Sequence, residues 1–201
     1  MLLKSTDIAD RLERKTNFKD PLIITPRPDM EVLRSGSGAS VDLRLGSWFL
    51  SFKQSSLTSL DLINSEDIKS ESHSMREHYI PFGDHFSLHP GSFILGTTLE
   101  WIRLPETLGA YVVGKSSWGR RGLIIATATG VHPRFAGCLT LELTNLGEIP
   151  IQIYPGMLLC QLFIHQTTVD QSSYESKFSG RRKPAVGVID KDRLFAKLIT
   201  N

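Results

Sequence analysis

Strict alternation of apolar and polar residues is the feature that most narrows the fold. In Leu139-Thr140-Leu141-Glu142-Leu143-Thr144 the leucines point one way, and the threonines and the glutamate the other. That is the period of a half-buried strand. Ile149, Ile151 and Ile153 alternate in the same way with Pro150, Gln152 and Tyr154. Runs at 22–25, 40–45, 48–52, 93–98, 111–113, 123–126, 149–154 and 158–164 also read as short strands, punctuated by Pro, Gly, Asn and Asp. Such spacing belongs to β sandwiches and barrels. The expected helices are 5–14, with Ile8 and Leu12 on one face, and a short turn near 117–121.

A chain of 201 residues fits one domain, 1–201, and is long enough to bury a core without staples. Two segments stand apart. Residues 54–77 are polar and Ser-rich and read as a surface excursion. Residues 167–201 read as a C-terminal tail or lid; over 167–188, rich in Ser, Lys, Arg and Gly, composition alone favours a frayed end. The functional reading is a cationic flap that orders on an anion. Net charge is +2 with acids and bases interspersed, which argues against a dedicated nucleic-acid binder; Arg181-Arg182-Lys183 is the one dense basic cluster. Cys138 and Cys160 sit in apolar contexts and read as free core thiols of a reducing compartment. No apolar run approaches membrane-spanning length, and the first residues are too short for a signal peptide, so a soluble cytoplasmic protein is expected.

Gly114-Lys115-Ser116-Ser117 offers backbone N–H groups, two hydroxyls and an ammonium, a set suited to a phosphate chain. The stretch from Gly109 to Ser116 satisfies the Walker A pattern in letters only. Tyr111-Val112-Val113 is strand-forming where that loop must turn, and Gly119 and Gly122 leave no room for the long helix that must follow. Zinc deaminase signatures are absent, and His85 and His89 precede Pro90 in a non-helical segment, so no protein-bound zinc is expected. Glu142 alone, on the polar face of a strand, reads as a solvated side chain. A catalytic reading requires it to converge with the cradle.

Several motifs in order carry a family resemblance. They are Ile24-Thr25-Pro26-Arg27-Pro28, Ser40-Val41-Asp42-Leu43-Arg44-Leu45-Gly46, Leu88-His89-Pro90-Gly91 and Thr98-Leu99-Glu100. Then come Gly114-Lys115-Ser116-Ser117-Trp118-Gly119-Arg120-Arg121-Gly122-Leu123 and the strand Phe135–Asn145. Tyr154-Pro155-Gly156-Met157 and Lys177-Phe178-Ser179-Gly180 continue the series. With these the chain resembles the dCTP deaminase family of the trimeric dUTPase-like superfamily.

The resemblance implies a mainly β, distorted barrel or jelly-roll subunit with a short N-terminal helix, assembled as a homotrimer with active sites between subunits. It implies zinc-independent, hydrolytic deamination of dCTP to dUTP and ammonia. Glu142 would be the general acid and base, Ser116 would hold the water and Arg120 would orient Glu142. Lys115 and Ser117 would hold phosphates within the loop that includes Trp118 and Gly119. Thr127, Ala128, Thr140 and Leu141 would line the base pocket, with Tyr174, Lys177 and Arg181 closing from the tail. Magnesium would ride on the triphosphate, and dTTP stands as a candidate inhibitor. One departure is marked: Val131-His132 occupies the place of an Ile-Asp or Val-Asp pair. His132 then becomes the candidate sugar contact. The same departure weighs against a dUTP pyrophosphatase or bifunctional deaminase–dUTPase, and it keeps open a nucleotide-binding sensor of the same fold without turnover.

Overall fold

A computed structural model describes residues 1–13, 20–52, 75–127, 130–168 and 180–187. Helix α1 (Ser5–Glu13) packs on a short α2 (Met30–Ser35), whose first amides are capped by Asp29 Oδ1. The strands are β1 (Ile23–Thr25), β2 (Val41–Arg44), β3 (Trp48–Phe52), β4 (Met75–Tyr79), β5 (Phe86–Leu88) and β6 (Phe93–Arg103). Then follow β7 (Leu108–Gly114), a one-turn α3 (Ser116–Gly119), β8 (Leu123–Ile125), β9 (Gly130–Val131), β10 (Ala136–Asn145), β11 (Ile151–Ile153) and β12 (Leu158–Gln166). The fold is mainly β with a short N-terminal helix, as the strand spacing implied.

One sheet runs β4-β3-β6-β10-β8, with β1 also on β6; a second runs β2-β12-β7-β9; β11 and β5 form a pair. The alternation in β10 holds along its length: Leu139, Leu141 and Leu143 are buried, and Thr140, Glu142 and Thr144 are half-buried on the other face. Leu141 and Leu143 join Leu43, Leu45, Phe49 and Leu123 in one continuous core. Two expectations need correction. Ile149 is 74 % exposed and lies outside β11; its carbonyl instead accepts from the Asn145 side chain. Residues 75–77, taken as the end of a polar excursion, belong to β4, which pairs antiparallel with β3. As a sheet-edge strand β4 needs no apolar face, so alternation could not reveal it. The remainder of that excursion, 54–74, lies outside the described residues.

Pairing of β10 with β6 shifts between Cys138, opposite Trp101, and Thr140, opposite Thr97. Thr98, Leu99 and Glu100 therefore face Leu139 alone, a bulge of the kind found beside active sites. Thr98 Oγ1 stitches it by accepting from the Leu139 amide at 2.9 Å and donating to the Glu100 carbonyl at 2.8 Å. Glu100 is turned fully into the core, where it accepts from the Arg44 amide at 2.8 Å and from its guanidinium at 3.1 Å. Burial still wins: desolvation pushes the carboxyl above its ordinary value, against the lowering effect of these bonds. Both cysteines are free. Burial, then the charges of Glu100 and Asp42, push the Cys160 thiol up to about 12, so it behaves as a core apolar group.

A raised folded-state value means that the folded chain holds this proton more tightly than the unfolded chain. The associated stabilisation is complete below the ordinary value of 4.5 and is lost as pH rises through the folded value. Relative to Glu100→Gln, the unsubstituted chain is thus expected to lose stability as pH climbs above 4.5. Arg44→Ala strands the buried carboxylate and is expected to cost about 3 kcal/mol at neutral pH, less in acid. Urea unfolding across a pH series checks both; a pH-independent gap between the unsubstituted chain and Glu100→Gln contradicts the assignment.

Candidate active site

Glu142 sits near the C-terminal end of β10, opposite Leu95 of β6 and next to the last residues of β8. Both of its main-chain groups are held. Its carbonyl accepts from the Ala126 amide at 2.9 Å, and its amide donates to Thr127 Oγ1 at 2.9 Å. Thr127 so used as an acceptor keeps its own hydroxyl proton to donate. The half-buried carboxylate lies on a cavity of about 470 Å3, a size usual for small-molecule sites. Thr127, Thr140 and His132 share that cavity, and so does Arg181 from the C-terminal segment.

His132 reaches the cavity because β9 is followed by a tight turn. The Phe135 amide bonds the His132 carbonyl at 3.2 Å, and Arg134 adopts a left-handed φ of 65°. Much of the remaining wall is apolar, including Phe52, Phe93, Leu95, Phe135 and Leu139. Sequence reasoning did not assign these walls to the site; each had only a strand-forming context. They supply the dryness a catalytic carboxylate needs, for which the flanking leucines of β10 point the wrong way. Leu141 is one of those: its side chain is completely buried on the core face and does not line the cavity, so its expected place in the pocket needs correction.

The cradle lies elsewhere. Lys115 precedes α3 and bonds Asp42 Oδ2 at 2.6 Å, while Gln161 Nε2 holds Asp42 Oδ1 at 3.1 Å. Trp118 Nε1 donates to the Leu158 carbonyl at 2.8 Å, which seats α3 on the start of β12. Gly122, at φ +89°, turns the chain from α3 into β8; a Cβ there would meet the Gly147 nitrogen at 2.7 Å. Ser116, Ser117 and Arg120 are exposed. None of residues 115–120 lines the Glu142 cavity, and among the described residues no hydrogen bond or ion pair joins Ser116 or Arg120 to Glu142. Gly114, where the cradle begins, packs against the side chain of Ile125. Ile125 lies opposite Leu143 and so shares its face of the sheet, whereas Glu142 points to the other face. Ala128, Tyr174 and Lys177 lie outside the described residues.

A model of the dCTP deaminase-like family matches residues 2–167. The chain is 39 % identical over 201 residues to a dCTP deaminase of Haloarcula marismortui, covering 97 % of this chain and 98 % of that one. It is 37 % identical over 200 residues to a dUMP-forming dCTP deaminase of Dictyoglomus turgidum, covering 96 % of each. Among solved structures, the 2'-deoxycytidine 5'-triphosphate deaminase of Agrobacterium tumefaciens shares the fold at a TM-score of 0.56 and 20 % identity. That match covers 81 % of this chain and 47 % of the longer one. A mainly β chain whose largely apolar cavity holds, among the described residues, one acid together with Arg181 has the build of a small-molecule enzyme. The chain belongs to the dCTP deaminase-like family.

Thr127→Val removes the acceptor for the Glu142 amide at nearly constant shape. It is expected to cost about 1–2 kcal/mol in denaturant unfolding, and Thr127→Ser, which keeps the oxygen, clearly less. Equal costs for the two would show that this bond does not hold the strand end.

Proposed function

We propose that this chain deaminates dCTP hydrolytically to dUTP and ammonia, with Glu142 as general acid and base. The observation that carries the reading is the one carboxylate lining the cavity among the described residues, pinned through both main-chain groups and set among largely apolar walls. Water adds to C4 of the cytosine ring, and Glu142 takes its proton. Glu142 passes that proton to ring nitrogen N3 as the tetrahedral carbon forms. It then takes the proton of the new C4 hydroxyl as the carbonyl is restored and delivers it to the amine, which leaves as ammonia. Thr127 and Thr140 give the base edge polar contacts, His132 faces the sugar, and Arg181 meets the phosphates from above.

The other half of the constellation comes from a second copy. Ser116 of that copy holds the water, Arg120 orients Glu142, and Lys115 with Ser117 holds the triphosphate. A closed ring of three copies gives every Glu142 such a neighbour and leaves no cradle unused. Among the described residues no group of three or more His, Cys, Asp or Glu side chains is placed to hold a metal ion. The cavity offers one carboxylate beside His132, a poor donor set for a magnesium cage. Magnesium on this reading arrives on the triphosphate, whose charge it offsets. dTTP shares sugar and triphosphate but carries no amine to lose, and so occupies the same site as an inhibitor.

A dUMP-forming deamination is the second reading, favoured by the name of the Dictyoglomus turgidum relative. It requires a further water activated at the α-phosphate. Glu142 is the only carboxylate lining the cavity among the described residues, and His132 stands where the resemblance expects an aspartate. The product is therefore expected to be dUTP.

Incubation of purified protein with dCTP and magnesium, followed by absorbance and by chromatography of the products, tests the reading. Cytosine is expected to become uracil with no pyrophosphate released. Glu142→Gln is expected to lower turnover by about 10² to 10⁴-fold with folding retained. Undiminished turnover in Glu142→Gln removes the assigned role. Subunit sharing has its own test. Glu142→Gln and Arg120→Ala, each inactive alone, are mixed in equal amounts under subunit exchange. Random ring assembly pairs an intact acid with an intact cradle at about a quarter of sites, so about a quarter of the unsubstituted activity should return. No recovery after verified exchange overturns the shared site.

A further inference from the structure

The basic run Arg181-Arg182-Lys183 is divided by the fold among three surroundings. Arg181 lines the Glu142 cavity. Arg182 lines a neighbouring cavity of about 530 Å3 with Trp48 and Trp101 on its walls. Lys183 places its ammonium 3.8 Å from the ring centroid of Trp48 and donates to Glu77 Oε2 at 2.8 Å. Pro184 is buried behind it, and Ala185, Val186 and Gly187 return to the Glu142 cavity.

Main-chain bonds secure only the entry to this segment. The Gly180 amide bonds the Ala136 carbonyl at 2.6 Å, and the Cys138 amide bonds the Arg181 carbonyl at 2.8 Å, beside the bulge. Among the described residues no main-chain hydrogen bond holds 182–187. Their path over Glu142 rests on side chains, chiefly Lys183 and Pro184. The receptor for Lys183 is the β3–β4 edge. Trp48 lies opposite Tyr79 in register with rings 5.0 Å apart, and Glu77 projects two residues before Tyr79 on the same face.

We propose that Lys183 is a positioning residue for the deamination: its seat on Trp48 and Glu77 latches 180–187 in place, so that Arg181 and the 185–187 wall stand over Glu142. The kinetic consequence rests on the deaminase reading above; the latch itself does not. Side-chain exposures of 47 % for Lys183 and 55 % for Glu77 make the ion pair weak and screened by salt. The indole face adds an attraction of the exposed cation–π kind. A latch of this strength closes the cavity yet releases it often enough for product to leave.

If only the closed segment binds nucleotide well, apparent affinity scales with the closed fraction. Lys183→Met keeps the stem and removes the charge. It is expected to raise KM for dCTP about fivefold while kcat changes less than about twofold. Lys183→Arg, which keeps a cation for both partners, is expected to restore KM. Acrylamide quenching of indole fluorescence in the ligand-free protein reads the latch without any reaction. Quenching should rise in Lys183→Met and in high salt, recover in Lys183→Arg, and lose this response when Trp48 is replaced by Phe. Unchanged quenching in Lys183→Met overturns the latch. Raised quenching with unchanged KM overturns the positioning role, as does an equal fall of kcat in both Lys183 variants. A normal quenching response without dCTP turnover in the unsubstituted protein refutes the deaminase reading, and the positioning role with it.

Discussion

The fastening of one strand, β10, underlies the rest of the molecule. Its leucines anchor the core, and its opposite face carries Thr140 and Glu142 into the cavity. β6 binds one edge of it and β8 the other, so Glu142 sits between two ladders and cannot slide in register without moving the core leucines to solvent. At its end, buried Asn145 donates to the Leu88 and Ile149 carbonyls and accepts from the Gly147 amide. That single side chain ties the strand to the loop after it and to β5. The backbone thus fixes where the Glu142 side chain leaves the strand.

The bulge in β6 turns Glu100 inward onto Arg44. Residues 180–181 attach on the other edge of β10, where the Ala136 carbonyl and Cys138 amide point the same way as the Glu142 main-chain groups that bond residues 126–127. The C-terminal segment lines both the Glu142 cavity and the Trp48–Trp101 cavity. Whatever closes over the carboxylate is in this way connected to the sheet that carries it.

The loop 114–120 and Glu142 are kept apart by the two faces of the sheet. Gly114 packs on Ile125, which shares the face of Leu143, whereas Glu142 points to the other face. Lys115 meanwhile is held by Asp42.

Legibility in the sequence followed the range of the interactions involved. The strand at 139–144, the N-terminal helix and the turn after Gly114 were readable because periodicity and glycine chemistry are local. β4, β5, β9 and α2 were not: each is short, and each is stabilised by pairing, packing or a cap rather than by its own pattern. The exposure of Ile149 was hidden because alternation continues past the end of β11. Motif order singled out Glu142 and the Ser-Ser-Arg loop as candidates, whereas the aromatic walls have no signature, since they come from strands far apart in the chain.

By itself, then, the amino-acid order determined a mainly β chain, the strand that bears the acid and the family to which that strand belongs. Only the tertiary structure decided that Phe52, Phe93 and Leu95 wall the Glu142 cavity, that the loop 114–120 does not line it, and that the basic run divides among separate surroundings. Local periodicity says which face of a strand is apolar. What lies against that face is set by contacts between residues distant in sequence, which no short window contains.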